Sequence, residues 1–135
     1  MSAVPERFHD LLTERPTYAV LTTMLPDGLP HMSVVWIDYD AETDRVLVNT
    51  ERDRRKEKNV RGDPRAGVLA VDPDTWFRWL AVSGEVDRVT TEGAREHIDA
   101  LARRYMGEDS YPRPVETERV ILELRPDRVH SFDRP

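Results

Sequence analysis

The stretch TYAVLTTMLPDGLPHMSVVWIDYD, residues 17–40, decides the fold. Its first part, residues 17–24, is rich in β-branched and aromatic residues, which favour β-strands. Pro26, Asp27 and Gly28 then form a strong turn signal. Residues 31–40 resume the strand pattern with apolar residues on both faces, which is typical of a strand with little exposure on either side. The stretch therefore predicts a β-hairpin whose second strand runs from residue 31 to residue 40.

Further strands and helices are predicted outside this hairpin. Apolar runs predict strands at residues 45–50, 66–71 and 77–89, and two more strands on either side of Pro126 and Asp127. Helices are predicted for residues 2–14, around residues 54–61, and from a cap at Thr91 to an end at Gly107. Gly84, inside a long strand, indicates a bulge or a close backbone contact. Because the links are short and strands do not alternate with helices, we expect a mainly β fold. It would be a small antiparallel β-barrel, closed or split, with about six or seven strands and short helices.

Composition narrows the classes of function. The chain has 135 residues, which suffices for a single domain with a sizeable core, and its formal net charge of -6 argues against general nucleic-acid binding. It has no cysteine, and its four histidines show no metal-ligand spacing. No apolar run approaches the length of a membrane span, and the first residues do not resemble a signal peptide. We therefore expect a cytoplasmic protein that binds no metal, nucleic acid or membrane.

Basic side chains are concentrated in ERDRRKEKNVRGDPRAG, residues 51–67, although the chain is acidic. Arg54, Arg55 and Lys56 fall in the first turn of the helix predicted there, where the helix dipole disfavours positive charge. A bound anion would turn this penalty into binding, because free N–H groups and cationic side chains would converge on it. The segment therefore predicts a phosphate-binding site. A solvated turn neutralised by neighbouring acids, and a nucleic-acid contact, are the alternatives.

No catalytic motif accompanies the predicted phosphate site. The serines lack a G-x-S-x-G context, and no G-x-G-x-x-G follows a predicted strand. A phosphate site without an evident nucleophile or base indicates that a bound cofactor carries the chemistry. The catalytic residues therefore stay unassigned.

Four motifs in order carry a resemblance to a known family. They are YAVLTT with PDGLPHMSVVW, then VNTERDRRKEKNVRGDPRAGV, then DPDTWFRWLAVSGEV, and finally RVILELRPDRVHSF. Over nearly the whole chain they resemble the pyridoxamine-phosphate-oxidase-like flavin/deazaflavin oxidoreductases, most closely the B-type branch that uses the deazaflavin coenzyme F420. The resemblance implies one FMN-binding split β-barrel domain over residues 1–135. It also implies a homodimer with a cofactor at each end of the interface.

The resemblance further implies a set of cofactor-binding residues. Arg54, Arg55 and Lys56 would hold the phosphate, and the strand end at Asn49 and Thr50 would border the same pocket. The residues lining the isoalloxazine-type ring would be Ser33, Val34, Val35 and Trp36. Trp79 is included as a further cofactor contact.

Several of these assignments have a structural alternative. Trp36 lies in a buried strand and suits core packing as well as ring contact. Trp79 belongs to an aromatic cluster that equally suits core or dimer packing. Arg78 suits either a cofactor phosphate or polyglutamate tail, or a salt bridge. His31 suits substrate contact or an exposed strand end, and Tyr105 suits packing on its helix.

These features together predict an F420-dependent oxidoreductase that transfers a hydride between the deazaflavin and a small conjugated organic substrate. An FMN-binding pyridoxamine-phosphate-oxidase-like enzyme or flavin reductase is the first alternative, because FMN also carries a phosphate close to its ring. A non-catalytic protein that binds a cofactor or tetrapyrrole is the second. Quinones, tetrapyrroles such as biliverdin, and unsaturated lactones all remain possible substrates.

Overall fold

The computed structural model describes residues 3–134. Its strands are β1 (Tyr18–Met24), β2 (Pro30–Trp36), β3 (Asp38–Asp40), β4 (Arg45–Glu51), β5 (Arg65–Val71), β6 (Arg78–Thr90) and β7 (Arg119–Asp133). Its α-helices are α1 (His9–Thr13), α2 (Arg55–Gly62) and α3 (Ala94–Met106), and a 3₁₀ turn, Glu6–Phe8, precedes α1. Among these described residues, no helix is both long and apolar enough to cross a membrane.

The strands form one curled antiparallel sheet in the order β2-β1-β5-β6-β7-β4-β3. β2 and β3 stand at opposite ends of this order, yet only Ile37 separates them along the chain. Two Cα–Cα steps reach at most about 7 Å, so the two sheet edges must lie side by side. The sheet therefore closes on itself as a split barrel, which confirms the predicted mainly β fold and its strand number.

The crossover at Ile37 corrects the prediction of a single strand over residues 31–40. Up to Trp36 the chain pairs with β1, and from Asp38 onward it pairs with β4. The apolar pattern runs on through this point because Val35, Ile37 and Tyr39 are all buried, so nothing in the pattern marks the change of partner. The prediction of little exposure on either side is wrong for β2, where Met32 and Val34 are exposed.

Two predictions at the end of the chain have different outcomes. The prediction of two strands around Pro126 is wrong, because β7 continues through this residue. Pro126 lies opposite Gly84 where the register of β6 and β7 shifts, and a bulge tolerates a residue without an N–H group. The bulge and close contact predicted at Gly84 are confirmed.

The helices differ from their predictions mainly at their starts. The N-terminal helical structure spans Glu6 to Thr13, which is shorter than the predicted 2–14, and residue 2 lies outside the described residues. α3 starts after Gly93, which has a left-handed φ of 72°, so Thr91 is not its cap. Gly107, with a φ of 71°, ends the helix as predicted. The basic helix is confirmed, with Arg54 as its N-cap.

The core fills the interior of the barrel, and the N-terminal segment covers one opening. Its fully buried side chains are Val4, Phe8, Leu11 and Leu12. Arg78 fixes this segment, because its guanidinium lies 2.6 Å from Asp10 in α1 and 2.9 Å from Asp72. The structure thus places Arg78 in ion pairs, which was one of the two alternatives for this residue.

We expect Gly84→Ala to destabilise the fold by about 3 kcal/mol or more, because its Cβ would overlap the carbonyl oxygen of Arg125. Gly62→Ala is the matched control. A Cβ there meets nothing within 4 Å, and alanine favours the helix, so this variant should match or exceed the wild type in stability. Urea unfolding of the three proteins tests both expectations. Equal stability of Gly84→Ala and wild type would show that the close contact is not a constraint.

Candidate functional site

A pocket of about 640 Å³ opens where the ends of β2 and β4 come together. One part of its wall is apolar and aromatic, formed by Tyr18, Val34, Val35, Trp36, Ile98, Met106, Tyr111 and Pro114. The other part is polar, formed by Asn49, Glu51, Arg54, Lys56, Arg113, Glu116 and Arg119. Four of these polar residues are cationic and two are acidic, so the pocket is positive although the chain is acidic.

Lys56 is a half-buried cation of this site that lacks a counter-charge within the described residues. It lies half-buried in the first turn of α2, and among residues 3–134 its ammonium group makes no ion pair or hydrogen bond. Burial and the neighbouring positive charges of Arg54 and Arg119 lower the pKa of Lys56. Arg54, the N-cap of α2, makes no side-chain capping hydrogen bond, and the first-turn N–H groups have no side-chain acceptor in the described part of the chain. An anion in the pocket would compensate both the ammonium and the helix end.

Arg119 enters the pocket from the start of β7 and is held by three contacts. Its Nε donates to Asn49 Oδ1 at 2.8 Å, and its guanidinium lies 5.0 Å from the centre of the Tyr111 ring. Its Nη1 lies 3.6 Å from Glu51. Burial lowers the pKa of Arg119, but an arginine remains charged at any physiological pH. Arg119, Arg54 and Lys56 are together called the anion site below.

Glu51 is the buried counter-charge of the anion site, with 3% of its side chain exposed. One carboxylate oxygen accepts the backbone N–H groups of Glu116 and Thr117, at 2.8 and 2.9 Å. The other lies 3.3 Å from Arg54. Burial alone would raise the pKa of Glu51, but the two N–H groups and the two arginines lower it overall. Glu51 therefore stays ionised and holds the arginines in place.

Trp36 forms the centre of the aromatic wall. Its ring stacks on Tyr105 at a centroid distance of 5.0 Å and an angle of 6°, and it meets Tyr111 edge-on at 6.1 Å. Tyr105 is itself fixed, because its hydroxyl donates to the carbonyl of Thr17 and accepts the N–H of Ile37. Trp36 therefore both packs against α3 and presents a flat surface to the pocket. A planar ligand could lie against this wall with a phosphate at the anion site.

The structure brings together most, but not all, of the residues predicted to bind a cofactor. Those that line the pocket are Val34, Val35, Trp36, Asn49, Arg54 and Lys56. Four others lie outside its lining. Ser33 points its Oγ into the interior without a partner among residues 3–134, and Thr50 is buried. Arg55 donates from Nε to Asn59 at 2.9 Å, and Trp79 stacks on Phe132 at 5.9 Å. Their roles stay predictions.

The pocket lining also contains residues that sequence reasoning did not assign to the site, among them Tyr111, Arg113 and Arg119. Tyr111 and Arg113 belong to a proline-rich loop without a pattern that indicates binding. Arg119 looked like the polar start of a strand. The observation that identifies Arg119 as a site residue is the pairing of β4 with β7, which sets Arg119 opposite Glu51 so that two buried charges face each other. That signal appears only once the strand order is known.

Comparisons with known proteins identify the family of this chain. The sequence pattern of the pyridoxamine 5'-phosphate oxidase family matches residues 4–133. An F420H(2)-dependent biliverdin reductase from Mycobacterium tuberculosis is 28% identical over 111 residues, which cover 82% of this chain and 76% of that protein.

Solved structures show the same fold. An F420 reductase superposes with a TM-score of 0.80 at 30% identity, over 94% of this chain and 98% of that one. A pyridoxamine 5'-phosphate oxidase-related, FMN binding protein from Nostoc punctiforme has a TM-score of 0.61 at 18% identity, over 87% of this chain and 74% of that one. The second likeness shows the fold alone.

The lowered pKa of Lys56 predicts a pH dependence of anion binding. A bound anion would raise the pKa of Lys56 again. At a pH between the pKa of Lys56 in the free protein and its pKa in the anion-bound protein, binding is therefore accompanied by uptake of a proton. The contribution of Lys56 to the affinity should therefore be fully present below the pKa of Lys56 in the free protein and be lost as the pH rises through it. Sulfate titrations by calorimetry from about pH 7.5 to about pH 10 would measure this fall.

Lys56→Arg is the control for this titration. Arginine keeps the positive charge and does not titrate in this range, so the variant should bind sulfate without the alkaline loss. A wild-type affinity that is constant over the range, or the same loss in Lys56→Arg, would contradict the assignment.

Proposed function

The chain belongs to the pyridoxamine 5'-phosphate oxidase family, and we propose that it is an oxidoreductase that uses coenzyme F420. The cofactor would bind in the pocket between β2, β4 and α2. In this proposal the chain transfers a hydride between the deazaflavin and a small conjugated organic substrate. The family match over residues 4–133 and the similarity to two proteins named for F420 support the choice of cofactor.

One observation carries the proposal: an uncompensated, half-buried lysine lies in the same pocket as a flat aromatic wall. Lys56 and Arg54 stand at the N-terminus of α2, and Trp36 stands at the end of β2. A ligand with a phosphate at one end and a planar ring at the other would satisfy both features at once. F420 has this shape, and so does FMN.

When bound, the deazaflavin ring supplies or accepts the hydride, because a carbon replaces the reactive ring nitrogen of a flavin. The residues of the chain bind and orient. Arg54, Lys56 and Arg119 would hold the phosphate, and Trp36 with Val34 and Val35 would hold the ring against the end of β2. Tyr111 and Arg113, on the loop over residues 107–118, would limit the room left for a substrate. Such positioning is a large part of catalysis when a cofactor carries the chemistry.

The proposed enzyme is a homodimer, and an exposed apolar sheet face supports this. Val34 is 67% exposed and Leu69 is 41% exposed, although both lie on strands. They flank Val20 in register across β2, β1 and β5, with Met32, 65% exposed, next along β2. A continuous apolar face of this kind typically packs against a partner. Because Val34 also lines the pocket, a second copy seated there would complete the pocket wall.

The direct test is turnover and cofactor choice. Reduced F420 should be oxidised when a suitable conjugated acceptor is added, followed by the absorbance of the deazaflavin. Parallel titrations with F420 and FMN would separate the two cofactors. Tight FMN binding without F420 binding would favour the flavin enzyme. Tight cofactor binding with no turnover of any acceptor would favour a non-catalytic binding protein.

Lys56→Ala should weaken F420 binding by more than about tenfold, because it removes the uncompensated cation of the anion site. Lys58→Ala is the matched control, since Lys58 lies on the same helix but is exposed and outside the pocket lining. Fluorescence titration of F420 would give both dissociation constants. Equal losses of affinity in the two variants would show that only the net charge of the protein matters, and that Lys56 does not contact the cofactor.

Leu69→Glu should convert the dimer into a monomer, because it would bury an unpaired carboxylate in the proposed interface at a cost of several kcal/mol. Ala100→Glu, at an exposed position of α3 outside this face, is the control and should remain dimeric. Sedimentation equilibrium measures the masses. An unchanged dimer in Leu69→Glu would place the interface elsewhere.

A further inference from the structure

The amide orientation of Asn49 is fixed by two unambiguous partners. Its Oδ1 receives the Nε–H of Arg119 at 2.8 Å, and guanidinium nitrogens only donate. Its Nδ2 lies 2.8 Å from the carbonyl oxygen of Ala94, which only accepts. The opposite orientation would place donor against donor and acceptor against acceptor. The Asn49 amide therefore has one satisfied orientation.

This orientation also determines the tautomer of His97. His97 Nδ1 lies 3.1 Å from Asn49 Nδ2, so it must accept and carry no proton. The proton is then on Nε2, which donates to Asp38 at 2.9 Å. Three hydrogen bonds thus connect Asp38, His97, Asn49 and Arg119 in a row. Only the last of these residues is a cation of the anion site.

We propose that His97 and Asn49 are positioning residues that orient Arg119 for anion binding, and that protonation of His97 releases it. A proton on Nδ1 would face the amino group of Asn49. To remove this contact between two donors, the Asn49 amide must rotate, and the rotation breaks its hydrogen bonds to Ala94 and Arg119. The inference rests on the anion site of the proposed function, and it adds a pH-dependent control of that site by His97, which is not among the residues that line the pocket.

The charged groups around His97 do not oppose this effect. Asp38 on β3 faces Nε2, and Arg104 on α3 lies 2.9 Å from the other oxygen of Asp38. Burial would raise the pKa of Asp38, but hydrogen bonds from His97 and the Tyr39 backbone, with the charge of Arg104, lower it overall. Asp38 therefore stays ionised when the pH falls. From β4 and β7, the side chains behind Asn49 are Glu51 and Arg119.

The sign of the expected effect distinguishes it from general electrostatics. Added protons make a protein more positive, which by itself strengthens the binding of an anion. Release of Arg119 does the opposite. Once the bond to Asn49 is lost, the guanidinium keeps the longer approach to Glu51, 3.6 Å, and its contact with Tyr111. Anion affinity should therefore fall on acidification.

Sulfate is the probe, because its charge does not change in the range where a histidine titrates. Calorimetric titration of the full chain should show binding that weakens about tenfold from about pH 7.5 to about pH 5.5, the scale of one hydrogen bond to a charged group. Affinity that is constant or rises on acidification would overturn the inference. Absence of sulfate binding at the higher pH would overturn the anion site together with it.

His97→Asn is the conservative variant. Its carbonyl oxygen can occupy the place of Nδ1 as an acceptor for Asn49, and it cannot be protonated. It should bind sulfate like the wild type at the higher pH and keep that affinity at the lower pH. The same acid loss in His97→Asn would show that another group is responsible.

Two further measurements keep the outcomes separate. Long-range proton–nitrogen NMR of His97 should show the proton on Nε2 near neutral pH, and a proton on Nδ1 would contradict the hydrogen-bond row directly.

F420 titration in parallel separates the two proposals. An acid-dependent sulfate site that does not bind F420 would refute the cofactor and leave the positioning role. Binding of F420 together with a sulfate affinity that does not change with pH would refute the positioning role of His97 and Asn49 and leave the cofactor.

Discussion

The passage of the chain through Ile37 is the constraint on which the rest of the structure depends. A residue that leaves one strand ladder before entering the next has backbone groups that neither ladder satisfies. Here α3 satisfies them, because Tyr105 accepts the N–H of Ile37 and Arg104 donates to its carbonyl at 2.6 Å. The crossover closes the barrel, fixes α3 over the closure, and brings the end of β2 to the end of β4. The pocket exists because these two strand ends meet.

The positive pocket is stable within an acidic chain because one buried carboxylate organises it. Glu51 binds the backbone of the 107–118 loop through one oxygen and approaches the arginines through the other. Two arginines beside a buried, ionised glutamate lose much of their mutual repulsion. Lys56 receives no such compensation within residues 3–134, which leaves a half-buried cation of the pocket without a counter-charge. The cations are therefore in place before an anion arrives.

The parts of the fold that could be predicted are those encoded by neighbouring residues. The hairpin around Gly28, the basic helix after Arg54, the irregularity at Gly84 and the end of α3 at Gly107 each follow from local chemistry. The change of strand partner at Ile37 could not be predicted, because the buried residues before and after it, Val35 and Tyr39, continue the same apolar pattern.

The candidate site divides in the same way. Arg54 and Lys56 were found because they stand together where a helix begins, and Trp36 because it lies in a recognisable motif. Arg119 depends on the pairing of β4 with β7, and Tyr111 on a loop without periodicity. Contacts made between distant segments leave no trace in either segment alone. The row from Asp38 to Arg119 joins residues from β3, β4, α3 and β7, and no local pattern indicates it.

The two halves of the pocket are built from different kinds of structure, and this has a consequence for how such a protein can diversify. Arg54 and Lys56 stand at the start of a helix and Arg119 stands at the start of a strand, whereas Tyr111, Arg113 and Pro114 stand on an irregular connection whose far end is tied to Glu51. Replacements in this connection before its tie to Glu51 would reshape the mouth of the cavity and leave Arg54, Lys56 and Arg119 in place. New substrate preferences could therefore evolve in this protein, one exposed side chain at a time, while the shared coenzyme chemistry is inherited intact.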